Sequence, residues 1–292
     1  MYKKVFNMGI VVKLKNIKNA LKTTKEVLKY GGINNININT IEYEKILLGK
    51  KILITGAGSG IGFAIAKKCV ELGASVIITG RNEKKLEEAL FKLNSNNATY
   101  VVWDVSDISV LEDKLNYCRR IFDGDIDILV NNAGVQPSEF FPDVTEEEWD
   151  KVYDVNSKGT FFLSEYVCKN WMKKDNVGYY RKILNIDSQG GFVGATYPYR
   201  MTKWDIRGFT KGLGIKMAPM KILVNGIAPG VVRTEMQAFS LEQGDNTFCN
   251  QNLLNRVALP EEIAELAAFM LSDACNFMVG QTVLLDGGYS LK

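Results

Sequence analysis

From Lys50 onward, short apolar runs alternate with longer stretches in which apolar residues recur at helical spacing. "KKILITG" (50–56), "ASVIITG" (74–80), "YVVWDV" (100–105), "IDILVNNAG" (126–134), "KILNIDS" (182–188), "KILVNGIAPG" (221–230) and "QTVLLDGG" (281–288) each predict a buried strand. "FAIAKKCVELG" (63–73) and "EKKLEEALFKLN" (83–94) predict helices between the first of them, and helical patterns separate most of the rest. Strands alternating with helices imply βαβ units, right-handed crossovers and a parallel sheet covered on both faces. The expected fold class is therefore α/β, a Rossmann-like doubly wound parallel sheet, in one domain over residues 47–292.

Residues 1–46 follow a different pattern. Residues 1–30 carry eight lysines against one acid, Glu26, and Leu14, Ile17, Leu21 and Leu28 fall on one helical face ahead of Gly31-Gly32. This predicts an N-terminal extension made of a basic amphipathic helix. Two uses fit it: a helix for a membrane surface or partner, or one docked on its own domain or a neighbouring subunit. "INNININT" (33–40) then reads as linker or short strand.

Composition narrows the chemistry. With 46% apolar and 24% charged residues and a net charge of +3, the chain reads as an ordinary globular protein with no call for nucleic acid. The apolar runs are too short to span a bilayer, and no secretory leader is visible, so a cytoplasmic location is expected. Five scattered cysteines lack metal or disulfide spacing and are expected to be free thiols. The absence of histidine excludes Ser-His-Asp and Cys-His catalysis and imidazole metal sites. Acid–base work must fall to Tyr, Lys, Cys, Asp or Glu.

"TGAGSGIG" (55–62) follows the first predicted strand. Gly56, Gly60 and Gly62 there permit a tight turn, close approach of a pyrophosphate to the backbone, and close packing of helix on sheet. Together with "NNAG" (131–134), Tyr199-x-x-x-Lys203 and Pro229-Gly230, in that order and at compatible intervals, it makes the chain resemble the short-chain dehydrogenase/reductase family. The resemblance runs from about Lys50 to "DGG" (286–288), nearly everything beyond the extension.

That resemblance implies a bound dinucleotide. Gly56, Ser59, Gly60, Ile61 and Gly62 would hold it at the first turn, and Asp104 and Val105 would stand on the adenine side. Asn132, Ala133 and Gly134 would line the adenosine, and Pro229, Gly230, Val232 and Thr234 the nicotinamide end. Folds that select NAD usually carry a carboxylate at the end of the second strand, where it bonds the ribose 2'-hydroxyl. Here Gly80 stands in that place and Arg81 follows it. A guanidinium suits a 2'-phosphate, so NADP(H) is favoured over NAD(H), with Arg81, Asn82 and Ser59 around the phosphate.

Reduction of a ketone by hydride builds negative charge on oxygen, so the site needs a proton donor there. A free tyrosine has a pKa of about 10 and gives up its proton reluctantly; a nearby cation lowers it. In a helix Tyr199 and Lys203 lie about 40° apart, whereas Tyr197 lies about 120° from Lys203. Pro198 starts that helix with Tyr197 before it. The resemblance makes Tyr199 the acid/base, Lys203 its tuning cation and ribose anchor, Ser188 the group that holds the substrate oxygen, and Asn156 the holder of a relay water. Two departures stand out: Asp187 sits where a second serine is common, and the Ser188–Tyr199 interval is short.

The implied activity is hydride transfer between NADP(H) and a small-molecule carbonyl or secondary alcohol, with a sugar, a polyol and a 3-oxoacyl thioester as open substrate classes. The rivals are a non-catalytic dinucleotide sensor or scaffold and a nucleotide-sugar epimerase or dehydratase. The intact Ser-Tyr-Lys-Asn set argues against the first, and the absence of a longer C-terminal substrate domain argues against the second. Gln136, Gln189, Trp204 and Tyr197 are candidate substrate contacts, and residues 237–255, with Phe239, Leu241 and Phe248, a candidate lid. A homo-oligomer, dimer or tetramer, is implied by resemblance.

Overall fold

The computed structural model describes residues 18, 20–22, 24, 25, 28, 45–174, 179–236 and 247–291. Strands β1 (Lys51–Thr55), β2 (Ser75–Gly80), β3 (Ala98–Val102), β4 (Ile128–Asn131), β5 (Arg181–Ile186), β6 (Ile222–Pro229) and β7 (Thr282–Leu285) form one sheet in the order β3-β2-β1-β4-β5-β6-β7. Each neighbouring pair is parallel. The helices are α1 (Gly60–Glu71), α2 (Glu83–Leu93), α3 (Leu111–Ile121), α4 (Glu146–Tyr153), α5 (Thr160–Trp171), α6 (Pro198–Met217) and α7 (Pro260–Leu271).

The period-2 alternation of the strands sorts the core into two layers. Ile52, Ile54, Val76, Ile78 and Leu184 pack with Ile65 of α1 and Ile263 and Ala267 of α7. Leu53, Ile77, Leu129 and Ile183 pack on the opposite face with Leu115 of α3 and Leu163 and Val167 of α5. Burying such side chains contributes roughly 1.5–3 kcal/mol each, which is why strands apolar on both faces belong inside. Leu47 is fully buried in the first layer, and its amide bonds the Leu72 carbonyl, so the packed unit begins by that residue.

After β3 the chain crosses from one side of β1 to the other and enters β4, so strand order reverses between β1 and β4. The two are paired in register, Ile54 beside Val130. Ligand crevices in open α/β sheets lie at the carboxyl ends of strands at this switch point.

Some boundaries depart from the pattern. "YVVWDV" predicts a strand through Val105, but β3 ends at Val102. Asp104 Oδ1 accepts from Ser106 N at 2.9 Å and Ser106 Oγ at 2.6 Å, an Asx turn that diverts the backbone out of the sheet. In the extension, Leu21 and Leu28 are helical and exposed, so these two side chains are not docked on the chain's own core. Leu14, Ile17 and "INNININT" lie outside the described residues. So do 237–246 of the expected lid, including Phe239 and Leu241. Phe248 is buried and bridges to Arg256, a packing role for that end of the segment. All five cysteines are free and buried, and burial pushes the thiols of Cys69, Cys118 and Cys168 up to about 12.

Candidate active site

The turn after β1 is built on backbone conformations that only glycine adopts without strain. Gly56 has φ +64° and Gly60 φ +58°. A Cβ on Gly56 would lie 2.8 Å from Ala133 Cα, and one on Gly62 would collide with Asn132 Nδ2. The two loops at the switch point are stitched together through these contacts. Asn132 Nδ2 donates to the Thr55 and Gly56 carbonyls at 2.9 Å, and Thr55 Oγ1 accepts from the amides of Asn132 at 3.0 Å and Ala133 at 3.1 Å. Asn132 therefore braces the glycine turn besides lining the cleft.

One cleft gathers nearly every expected position. Gly56, Ser59, Gly60 and Ile61 line it from the first turn, Arg81 from the end of β2, and Asp104 and Val105 from beyond β3. Asn132, Ala133 and Gly134 line it from the loop after β4, Ser188 from just beyond β5, and Tyr199 and Lys203 from α6. Pro229, Gly230, Val232 and Thr234 complete it from β6 and its loop. Three expected residues stand outside. Gly62 packs under the turn, Asn156 lies behind the wall, and Asn82 is the N-cap of α2, its Oδ1 accepting from Lys85 N at 3.0 Å. A capping bond satisfies an orphan helix amide, which ties the Asn82 side chain to structure. Asp187, the carboxylate expected near the site, lines the cleft; Trp103, Glu235 and Met236 also line it without having been anticipated as contacts. Their only signal in the sequence is adjacency to motif residues. Lys85 and Glu235 form an ion pair at the rim.

At the far end, α6 begins at Pro198 with Tyr197 as N-cap in extended backbone (φ −151°, ψ 158°). Tyr199 and Lys203 then lie one turn apart on the inner face, with Lys203 Nζ 5.4 Å from the centre of the Tyr199 ring. Ser188 and Gln136 lie close enough to the Tyr199 hydroxyl to favour its ionised form. Lys203 is buried, and its Nζ donates to the Ile186 carbonyl at 2.9 Å.

The electrostatics differ from the simple expectation that Lys203 draws the Tyr199 pKa down. Burial pushes the Tyr199 hydroxyl up to about 12; Ser188 and Gln136 pull against this, and Asp187 and Tyr197 add to it. Desolvation disfavours phenolate in a dry pocket. It also lowers the Lys203 pKa, while Asp187 raises it. Asp187 is itself buried and shifted up to about 7, mainly by desolvation, with Lys203, Ser188 N and Arg207 opposing.

Asn156 sits in a π-helical turn, Asp154–Gly159, that joins α4 to α5. The wider turn aims its side chain inward, where it bonds Val135 and Thr202 Oγ1. π-turns are frequent at functional sites. Gly134 faces the same amide, its Cβ position 3.5 Å from Asn156 Oδ1.

The remaining candidates divide. Tyr197 stacks on Tyr199 at 6.4 Å and meets Phe140 edge-on at 4.8 Å, forming an aromatic wall beside the proton donor. Trp204 is half-exposed, does not line the cleft, and its indole N–H donates to the Val193 carbonyl at 2.9 Å. Gln189 does not line the cleft; its Oε1 is buried against Gly230.

Residues 56–290 match the family model described as enoyl-(acyl carrier protein) reductase. This chain is a short-chain dehydrogenase/reductase. It is 33% identical to a 3-oxoacyl-(acyl-carrier-protein) reductase of Aquifex aeolicus, over 83% of this chain and 98% of that one. It is 31% identical to a gluconate 5-dehydrogenase of Gluconobacter oxydans, over 84% and 96%. A crystal structure of a 3-ketoacyl-(acyl-carrier-protein) reductase from Brucella melitensis, complexed with NADH, superposes with TM-score 0.76 at 30% identity, covering 84% of this chain and 99% of that one. As a member of this family the chain is an oxidoreductase.

The cleft suits the dinucleotide such enzymes use. Its floor is a glycine turn packed too closely on Ala133 for any Cβ at Gly56, and the first turn of α1 above it has no side-chain cap on its amides, since Ser59 makes none. Free amides at a helix N-terminus receive phosphate. Among the described residues no cluster of side chains could hold a metal ion, and no helix is long and apolar enough to cross a membrane.

Proposed function

We propose that this enzyme transfers a hydride between NADP(H) and a carbonyl or secondary-alcohol substrate, with Tyr199 as general acid/base. The observation that carries this reading is that Ser188, Tyr199 and Lys203 line one cleft with the glycine turn, Lys203 Nζ lying 5.4 Å from the Tyr199 ring. A phenol that faces such a cleft beside a serine and a lysine is positioned to give a proton to a developing alkoxide. When bound, the dinucleotide supplies or accepts the hydride. Gly56, Ser59, Gly60 and Ile61 would hold its phosphates, Asp104 and Val105 its adenine, and Pro229, Gly230, Val232 and Thr234 its nicotinamide. Ser188 holds the substrate oxygen, Tyr199 moves the proton, and Lys203 anchors the ribose. Asn156 keeps the wall behind Lys203 in place.

Support for NADP(H) comes from Arg81, exposed at the cleft wall with Gly80 beside it and no carboxylate at the end of β2. Arg81 Nη1 lies 3.7 Å from Asp104 Oδ2, a loose pair that a 2'-phosphate can outcompete. The relatives' names point to 3-oxoacyl thioesters and to gluconate and its keto form as the substrate classes to try first. Exposed Phe161 of α5, packed at 5.4 Å against Phe209 of α6, supports assembly of copies through these helices.

The test is a panel of acetoacetyl thioester, 5-keto-D-gluconate and gluconate, assayed with both cofactor forms. Tyr199→Phe should retain NADPH binding and lose at least about a hundredfold in turnover. A Tyr199→Phe variant as active as the parent overturns the assignment of the proton donor.

A further inference from the structure

Within β5, Ile183 and Asn185 point to the α6 side of the sheet, and Asn185 Nδ2 donates to Thr210 Oγ1 on α6 at 2.8 Å. By the same period-2 alternation Asp187 follows them toward α6, one residue ahead of Ser188. The turn Gln189–Phe192 folds over it. A Cβ on Gly191 would lie 3.2 Å from Asp187 Oδ1 and 2.8 Å from the Lys203 carbonyl, so glycine alone lets the turn close the carboxylate in against the helix. Asp187 is 3% exposed, and neither of its oxygens has a hydrogen-bond partner of ordinary geometry.

The neighbouring cations are committed elsewhere. Lys203 Nζ donates to Ile186 O, and Arg207 Nη1 donates to Gly191 O at 3.1 Å while its guanidinium stacks on Phe192 at 3.9 Å. A buried carboxylate in this state is expensive, and a serine hydroxyl, common at this place in the family, would fill it without charge. The cost calls for a use.

We infer that Asp187 is a positioning residue for proton transfer: its enclosed carboxylate, set between β5 and α6 beside Ser188, keeps the Lys203 side chain charged and opposes loss of the Tyr199 proton, and so disfavours the oxidative direction, in which Tyr199 must act as base. The groups that face this trio are Arg207 and Tyr197 from α6 and its cap, Gln136 from the loop after β4, and Ser188. The turn Gln189–Phe192 brings no titratable side chain. A negative charge destabilises a nearby phenolate and stabilises a nearby ammonium, in line with the directions in which Asp187 shifts Tyr199 and Lys203. The equilibrium of the reaction is untouched; what changes is the small fraction of free enzyme that carries the phenolate.

The catalytic meaning rests on Tyr199 being the proton donor, but the tuning can be read without turnover. The full-length protein labelled with [ζ-13C]tyrosine is titrated by NMR, Tyr199 being assigned by its loss in Tyr199→Phe. In Asp187→Asn the Tyr199 resonance should move to phenolate at least about one pH unit lower than in the parent, a tenfold gain in phenolate at fixed pH. Asp187→Ser is the second variant should Asn not fold. Coincident curves, an upward shift, or no ionisation in either protein overturns the inference while leaving the catalytic role of Tyr199 standing. An active Tyr199→Phe enzyme sinks that role and leaves the tuning result intact.

Discussion

Asn156 holds Val135 by both backbone groups: its Oδ1 accepts from Val135 N at 2.9 Å and its Nδ2 donates to Val135 O at 3.0 Å. The same Nδ2 donates to Thr202 Oγ1 at 3.1 Å. One side chain thus ties the loop after β4, which carries Gln136, to the helix that carries Tyr199 and Lys203.

Asn156→Leu removes that clamp and leaves the part-buried backbone groups of Val135 without partners. Each such group costs on the order of 1–3 kcal/mol. A loss of about 3 kcal/mol in urea-unfolding stability is expected. Turnover should fall further than NADPH affinity, because the clamp sets the proton-donor side of the site.

Gly56→Ala places a methyl 2.8 Å from Ala133 Cα in a backbone with φ +64°. Neither neighbour is a flexible chain end, so the turn must open. Isothermal titration should show NADPH affinity at least about tenfold weaker, the signature of a phosphate cradle that no longer fits.

Arg81→Ala should raise the KM for NADPH by about 10- to 100-fold, the worth of one charge-assisted bond, with little effect on NADH. Equal losses for both cofactors, or none, would show that the 2'-phosphate is held elsewhere.

The pH dependence of stability has a definite sign at Asp187. Its folded-state pKa is raised to about 7, above the usual carboxylate value, so between pH 4 and 7 the folded state binds more protons than the unfolded. Its contribution is fully present at low pH and is lost as pH rises through 7. Three units correspond to roughly 4 kcal/mol. Asp187→Asn should therefore be more stable than the parent above pH 7, and the gap should close as pH falls toward 4, read by thermal unfolding across that range.

Much of the site was legible because it depends on local rules. A four-residue interval puts Tyr199 and Lys203 on one helical face, Pro198 sets the start of that helix, and glycines at 56 and 60 announce backbone that other residues avoid. Other residues resisted because their meaning is set by distant partners. The sequence offers Asn82 as a phosphate contact and Trp204 as a substrate contact, but not that Lys85 N donates to the Asn82 oxygen or that the Trp204 indole donates to Val193 O. The π-turn at Asn156 leaves no trace in a 3.6-residue period, since it arises from one extra residue accommodated by contacts to Val135 and Thr202.

Order along the chain, alternation of strand and helix, turn chemistry and helical phase are properties of neighbours within a few residues, and the amino-acid order alone specified them here. Which of them meet was decided in three dimensions. The reversal between β1 and β4 brings Gly56 against Ala133 across 77 positions of chain. The closing of Gly191 over Asp187 turns an ordinary acid into a desolvated one that acts on Tyr199 and Lys203. Desolvation and long-range charge depend on everything packed around a group, and no local pattern encodes that.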